Sequence, residues 1–151
     1  MVREYVNENN RSRERLIKLV KDITDKELKL IIYKEGWTIA VALGHLAFWD
    51  ERRYALAKWW QQKGVILSNI VEIDMHTIND ALVPIFLAMP PRKVAELAVS
   101  AAEAVDKELA NLPSALIPKI QDLDDPHALD RSLHRKMHLD EVDALLKAKG
   151  R

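Results

Sequence analysis

Apolar residues recur at intervals of three and four positions along almost the whole chain, as they do on the buried face of an α-helix. The first such run, over 16–20, predicts a helix that starts near Asn9 or Asn10 and ends near Asp22. Strict alternation of apolar and polar residues, which is typical of a β-strand, is hard to find. The pattern therefore predicts an all-α protein.

Capping signals predict where the next two helices start. Thr24 and Glu27 have the spacing of a capping box, which predicts a short helix over 25–33 that Gly36 closes. Thr38 is a suitable N-cap for a long second helix that runs from Ile39 until Gly64. Within that helix, Gly44 costs about 1 kcal/mol relative to alanine. We expect this glycine to mark a close contact with another helix.

Prolines divide the second half of the chain, and Pro84 should break or kink the helix that contains it. The predicted segments are a connection over 65–73, a helix over 74–89, a third long helix from Pro91 to Pro113, a crossover over 114–125 and a last helix from about Pro126 to Ala148. Four long helices with shorter ones between them favour a four-helix bundle with a long crossover and short accessory helices, formed as a single domain over 1–151.

Composition narrows the range of functions. The 23 basic and 23 acidic residues balance and form no long block of one sign, so we expect no nucleic-acid or membrane partner. With no cysteine, any metal must be held by His, Asp or Glu, and a reducing compartment is favoured. Residues 1–10 contain no apolar leader, and no stretch is apolar over the length of a membrane span. We therefore expect a cytoplasmic protein.

Three histidines are candidate metal ligands. His45 lies in the middle of the apolar stripe of the second helix, where it either bonds to a neighbour in the core or binds a ligand. His134 and His138 are one turn apart on the last helix, either as a solvated pair or as two ligands for one ion. In a bundle the second and last helices can face each other, which would bring His45 to the pair.

Four further residues are candidates for supporting roles. Glu141 and Asp130 share a helical face with His134 and His138, so either carboxylate could orient an imidazole, and Glu141 could also act as a base. Both could equally be solvated charges. Trp49 could form a wall of a substrate pocket or simply pack in the core. Arg52, together with its neighbour Arg53, could bind an anionic substrate group or pair along the helix. We place His76 at the surface or in packing and leave His127 outside the site.

Several short motifs follow one another in a recognisable order. They are Gly36-Trp37-Thr38, the run from Ala42 to Asp50 with His45 and Trp49, the segment 74–79, Met89-Pro90-Pro91 and the pair His134 and His138. In this order and spacing, which cover nearly the whole chain, they resemble the DinB-like superfamily of four-helix-bundle proteins.

The resemblance implies a divalent transition-metal site held by His45, His134 and His138, often in a homodimer. Three imidazoles lead us to expect Zn or Ni first, with Fe or Mn as alternatives. The better-understood relatives are thiol-dependent S-transferases or isomerases, so a low-molecular-weight thiol would be a cosubstrate. Many relatives carry an acidic residue where Met137 stands here, and Glu141 or Asp130 would have to compensate.

Two main hypotheses follow. The first is a metal-dependent enzyme, a thiol-dependent S-transferase or a hydrolase, in which the ion lowers the pKa of a thiol or water and so activates it against a small-molecule substrate. The second is a non-catalytic helical dimer, a stress-response or binding scaffold whose histidines only pack. A third possibility is a module that binds a small molecule beside Trp49 without turnover.

Overall fold

The computed structural model describes residues 3–68 and 70–151. Met1 and Val2, from the predicted leader-free N-terminus, and Asn69, from the predicted 65–73 connection, lie outside the described residues. Helical residues make up 73% of the described part, so the all-α class is confirmed. No helix in this part combines the length and apolar character that a membrane span requires.

The helices and strands follow one another in a simple order along the chain. The elements are α1 (Glu4–Asp22), a 3₁₀ turn (Glu27–Lys29), β1 (Ile31–Tyr33), β2 (Trp37–Thr38), α2 (Ile39–Lys63), α3 (Glu72–Leu87), α4 (Pro91–Ala110), a second 3₁₀ turn (Ser114–Leu116), α5 (Ile117–Gln121) and α6 (Ser132–Ala148). Helix α2 packs most extensively on α4 and also contacts α3 and α6, while α1 lies against α4 and α6.

In the first half of the chain, the predicted capping box and the predicted cap of the second helix are both present, but the predicted short helix is not. Thr24 and Glu27 form the capping box, each side chain accepting the backbone N–H of the other residue. Only a 3₁₀ turn follows, because the β-branched residues after it enter an antiparallel pairing of β1 with β2. Gly36, at φ 83°, lies in the turn between these strands and does not close a helix. Thr38 caps α2 as predicted and accepts the Val41 N–H at 3.1 Å.

Three helix boundaries differ from the prediction. Helix α1 begins at Glu4, and Asn9 is no cap because its side chain bonds to Leu129 O and to the Arg131 N–H. Helix α3 continues past Pro84 to Leu87, so of the predicted break or kink the break does not occur. Helix α6 begins only at Ser132, since residues 126–129 form turns and residues 130 and 131 are not yet helical.

The core consists of two apolar clusters separated by a buried polar layer. One cluster joins the N-terminal parts of α2 and α4 to the C-terminal parts of α1 and α6. The other joins the C-terminal parts of α2 and α4 to the crossover before α6. Between them Arg135, fully buried, forms ion pairs with Asp50 of α2 at 3.1 Å and Asp106 of α4 at 2.8 Å. This layer fixes how α2, α4 and α6 face one another.

Candidate metal centre

His45 reaches the site from the middle of α2. Its ring is buried, only 7% exposed, beside the indole of Trp37 at a centroid distance of 5.1 Å. The helix can present a histidine here because its start is fixed by the Thr38 cap and by the β1–β2 hairpin. His45 bonds to a neighbouring side chain, as one of its two interpretations expected, but that neighbour is His134, and the ring of His138 also lies against it.

His134 and His138 reach the same point from successive turns of α6. The three ring centroids form a nearly equilateral triangle, with separations of 4.8 Å for His45 and His134 and 4.9 Å for the other two pairs. One ring nitrogen from each residue lies within 4.8 Å of the others. The three histidines are therefore close enough to bind one metal ion together.

Burial keeps the three imidazoles neutral. Burial, with the charge of neighbouring histidines as the next contribution, lowers the pKa of His45 to about 4 and that of His134 to about 2. Burial likewise lowers the pKa of His138. Each ring therefore retains a nitrogen lone pair at pH 7, which metal ligation requires.

The hydrogen bonding of the cluster fits a metal ion. His45 Nε2 and His134 Nε2 are 2.9 Å apart, so one neutral ring donates to the other. Two buried nitrogens, His45 Nδ1 and His138 Nε2, have no hydrogen-bond partner among the described residues. A buried polar atom without a partner costs about 1–3 kcal/mol. An ion held by three imidazoles would satisfy His138 Nε2 and leave positions open for water or substrate.

Tyr33 of β1 orients His138 from the side opposite the cluster. Its hydroxyl lies 2.7 Å from His138 Nδ1. Burial, together with the adjacent Glu141 carboxylate, raises the pKa of this hydroxyl, so Tyr33 stays protonated. If the hydroxyl donates to Glu141, it accepts the His138 Nδ1–H and leaves Nε2 free to bind an ion.

The structure places the predicted supporting residues at different distances from the cluster. Glu141 is exposed and lies outside the set of three ring nitrogens; it adds to burial in raising the pKa of the Tyr33 hydroxyl, and its charge opposes the lowering of the His138 pKa by burial. Asp130 does not share a helical face with the histidines, because it precedes α6. Its Oδ1 accepts the Ser132 N–H at 2.9 Å and also bonds to the Ser132 hydroxyl.

The cluster opens onto a cavity of about 680 Å³, a size suited to a small molecule. Trp49 and Arg52, the two residues predicted for a substrate pocket, both line it. The Trp49 indole donates to Asn79 Oδ1 at 2.9 Å and so ties α2 to α3. The Arg52 guanidinium lies 5.8 Å from the Trp49 ring and bonds to the Ser68 hydroxyl.

The remaining two histidines lie on the same cavity but outside the cluster. His76 is exposed and 3.3 Å from Glu72 on α3. His127, also exposed, is in the turn before α6, where its N–H donates to Asp125 Oδ1.

Sequence reasoning missed Tyr33 and Asn79 as neighbours of the histidines. Tyr33 is 105 positions from His138 and reaches it from a hairpin that the periodicity did not indicate. Asn79 approaches through the packing of α3 on α2. Asn79 ends the 74–79 segment of the sequence motifs, but no spacing rule places it, or Tyr33, beside the histidines.

No family model, curated protein or solved structure matches the chain. The likeness to the DinB-like superfamily rests on the motifs of the sequence, and the function has to be argued from the site itself.

Proposed function

We propose that this protein is a DinB-like, metal-dependent enzyme that uses His45, His134 and His138 to hold a divalent transition-metal ion. The ion is Zn or Ni, with Fe or Mn as alternatives, and the reaction is a thiol-dependent transfer or a hydrolysis of a small molecule. The contacts of α1 and α2 with both α4 and α6 support a four-helix bundle as the scaffold.

The observation that carries this proposal is the convergence of three neutral imidazoles at the wall of a small-molecule-sized cavity. Burying three histidines against one another, with two ring nitrogens unpartnered among the described residues, is unfavourable in a core that only has to pack. A scaffold without turnover would gain nothing from this arrangement.

The residues around the cluster have separable roles. A bound ion would supply Lewis acidity, which lowers the pKa of a coordinated thiol or water. Tyr33 holds the His138 ring in one orientation through the 2.7 Å contact at Nδ1. Trp37 covers the His45 ring on one side and limits access of water there. Trp49 and Asn79 shape the wall where substrate would lie.

The test is elemental analysis by mass spectrometry of tag-free protein purified without chelator or nickel resin. We expect about one transition-metal ion per chain, and loss of most of it in His45→Ala, His134→Ala and His138→Ala. His76→Ala and His127→Ala are matched controls, because these histidines line the same cavity outside the cluster, and they should retain the ion.

Two results would contradict the metal site. One is full metal content in all three cluster variants. The other is wild-type protein that binds no ion after reconstitution with Zn, Ni, Mn and Fe. The second result would favour the scaffold function, and circular dichroism of each variant separates metal loss from unfolding.

A homodimer is also part of the proposal. Large apolar side chains are exposed on α3 and on the segment before it, where a second copy of the chain would cover them. They are Ile66, Leu67, Val71, Ile73, Met75, Ile85 and Leu87. Exposed apolar area on this scale supports a protein interface.

A further inference from the structure

Three arginines line the cavity beyond the histidine cluster. Arg52 and Arg53 lie on α2, and Arg131 lies in the last turn before α6. The inference drawn from them rests on the proposed function, since the arginines and histidines share one cavity, and it concerns the chemical class of the ligand.

The Arg53 side chain is buried, and not all of its N–H donors have a hydrogen-bond partner among the described residues. Its side chain is 9% exposed, and Nη2 donates to Asp125 Oδ2 at 3.0 Å. Its Nε is buried and has no hydrogen-bond partner among the described residues. Burial, and then the like charge of Arg131, lowers the pKa of Arg53 to about 10. This guanidinium is a cation whose surroundings do not fully compensate it.

The neighbouring carboxylates are already shared. Asp50 pairs with both Arg131, at 2.9 Å, and Arg135, at 3.1 Å. Asp106 pairs with Arg135 and with Arg13. Asp50 is therefore shared between two guanidinium groups, and of these only Arg131, whose Nη1 also donates to His127 O at 2.7 Å, lines the cavity.

The other carboxylates at the cavity leave Arg52 without an ion pair in the described part of the chain. Asp125 is the partner of Arg53, whereas Arg52 bonds to a neutral group, the Ser68 hydroxyl. Glu35 and Asp80 also line the cavity, but both are exposed and neither forms a salt bridge with these arginines in the described part of the chain. The arginine region of the cavity is therefore cationic.

Two of the guanidinium groups are held against indole rings. Arg52 lies 5.8 Å from the centroid of Trp49, and Arg53 lies 5.5 Å from that of Trp60. Such stacking restrains the guanidinium planes and leaves their edges free to donate. Planar, restrained N–H donors are well suited to the two oxygens of a carboxylate.

We propose that Arg52, Arg53 and Arg131 bind the carboxylate of an organic acid whose other end reaches the histidine cluster. Arg52 and Arg53 follow His45 by seven and eight residues, about 10–12 Å along the helix axis. This separation requires an organic ligand that carries its anionic group away from its reacting group. A bare inorganic anion cannot span it.

The experiment compares 4-phenylbutyrate with its neutral amide, 4-phenylbutyramide, by calorimetric titration of zinc-loaded and of chelator-treated protein. We expect the carboxylate to bind at least about 10-fold more tightly than the amide. Arg52→Gln and Arg53→Gln should each weaken carboxylate binding about 10- to 100-fold, since they remove charged hydrogen-bond donors, and leave amide binding unchanged.

Arg11→Gln is the matched control. It removes the same charge from an exposed arginine that pairs with Glu8 and does not line the cavity, and it should bind like the wild type. Arg53 is buried, so Arg53→Gln could unfold the protein. Arg52 is only half-buried, and Arg52→Gln therefore measures the loss of carboxylate affinity if Arg53→Gln does not fold.

Three results would overturn the carboxylate subsite. They are equal affinity for acid and amide, unchanged carboxylate affinity in both arginine variants, and inorganic phosphate binding as tightly as the organic acid. Titration of chelator-treated protein reports on the arginines without any ion. Failure of this subsite is therefore distinguishable from failure of the metal site, which metal content measures separately.

Discussion

At the residue scale, the three histidines differ from ordinary core residues in what surrounds their ring nitrogens. A single buried histidine is satisfied by one or two hydrogen bonds, whereas here the rings face one another, and neighbouring histidines add to burial in lowering the pKa of His45 and of His134. The neutral form of each ring is therefore maintained by burial and by its neighbours, and Tyr33 fixes how His138 is turned.

Tyr33→Phe tests the orienting role of this hydroxyl. Removing it deletes the contact to His138 Nδ1, and loss of such an outer partner typically weakens metal binding about 10- to 100-fold. Competition for zinc with a chromophoric chelator measures the change. Tyr54→Phe, on α2 and packed in the other apolar cluster, is the control and should keep the wild-type affinity. Equal zinc affinity in both variants would show that Tyr33 only packs.

Gly44→Ala tests the close helix contact that the sequence predicted. A Cβ at this position would lie 2.8 Å from Phe86 Cδ2 and 2.8 Å from Val94 Cγ1. The gain in helix propensity of about 1 kcal/mol is opposed by an overpacking cost of about 1–3 kcal/mol, so we expect net destabilisation in urea unfolding. Phe86→Leu in the same chain should recover part of the loss, and purely additive effects would argue against the contact.

At the scale of helices and strands, contacts between separate segments of the chain changed some of the elements that local sequence patterns predicted. The capping box of Thr24 and Glu27 forms as predicted, yet the chain after it becomes a strand because Trp37 and Thr38 offer a partner strand. Pro84 lies inside α3 without ending it. Helix starts that depend on a side-chain cap, such as Thr38, were predictable, whereas those set by long-range contacts were not.

The exposed apolar face of helix α3 leads to a prediction about oligomeric state. Ile73 and Leu87 are 65% and 53% exposed, and their spacing places them within about 40° of each other around the helix. We expect a dimer in sedimentation velocity and a monomer for Ile73→Glu with Leu87→Glu, because charges on this face would be buried on association. Ile17→Glu, at an exposed site on α1, should leave the dimer intact. A monomeric wild type at tens of micromolar would contradict the proposed dimer.

At the scale of the whole molecule, a buried polar layer sets the relative positions of the helices that carry the site. Asp50 on α2 and Arg131 and Arg135 around the start of α6 form ion pairs, and Asp106 extends the layer to α4. Ionic contacts with fixed geometry specify register more strictly than apolar contacts do. The layer therefore helps to bring His45 to the same level as His134.

Arg135→Met tests this layer. It leaves Asp50 and Asp106 buried beside a missing cation, and we expect the free energy of unfolding to fall by about 3–5 kcal/mol. The control is Arg15→Met, whose ion pairs with Asp140 and Asp143 are largely exposed and should contribute less than about 1 kcal/mol. Urea unfolding measures both, and similar small losses in the two variants would contradict a structural role for the layer.

The sequence by itself determined the helical class and the cap of α2, because these depend on local periodicity and capping. It also marked Gly44 as a point of close contact, His45 on its apolar stripe, and His134 and His138 by their spacing within one helix. Only the tertiary structure decided that His45 meets this pair, that Tyr33 meets His138, and that Arg131 lines the histidine cavity. These contacts join residues through helix packing, a hairpin and a crossover. Their geometry depends on how helices pack and which buried charges pair, and neither is encoded in a short spacing.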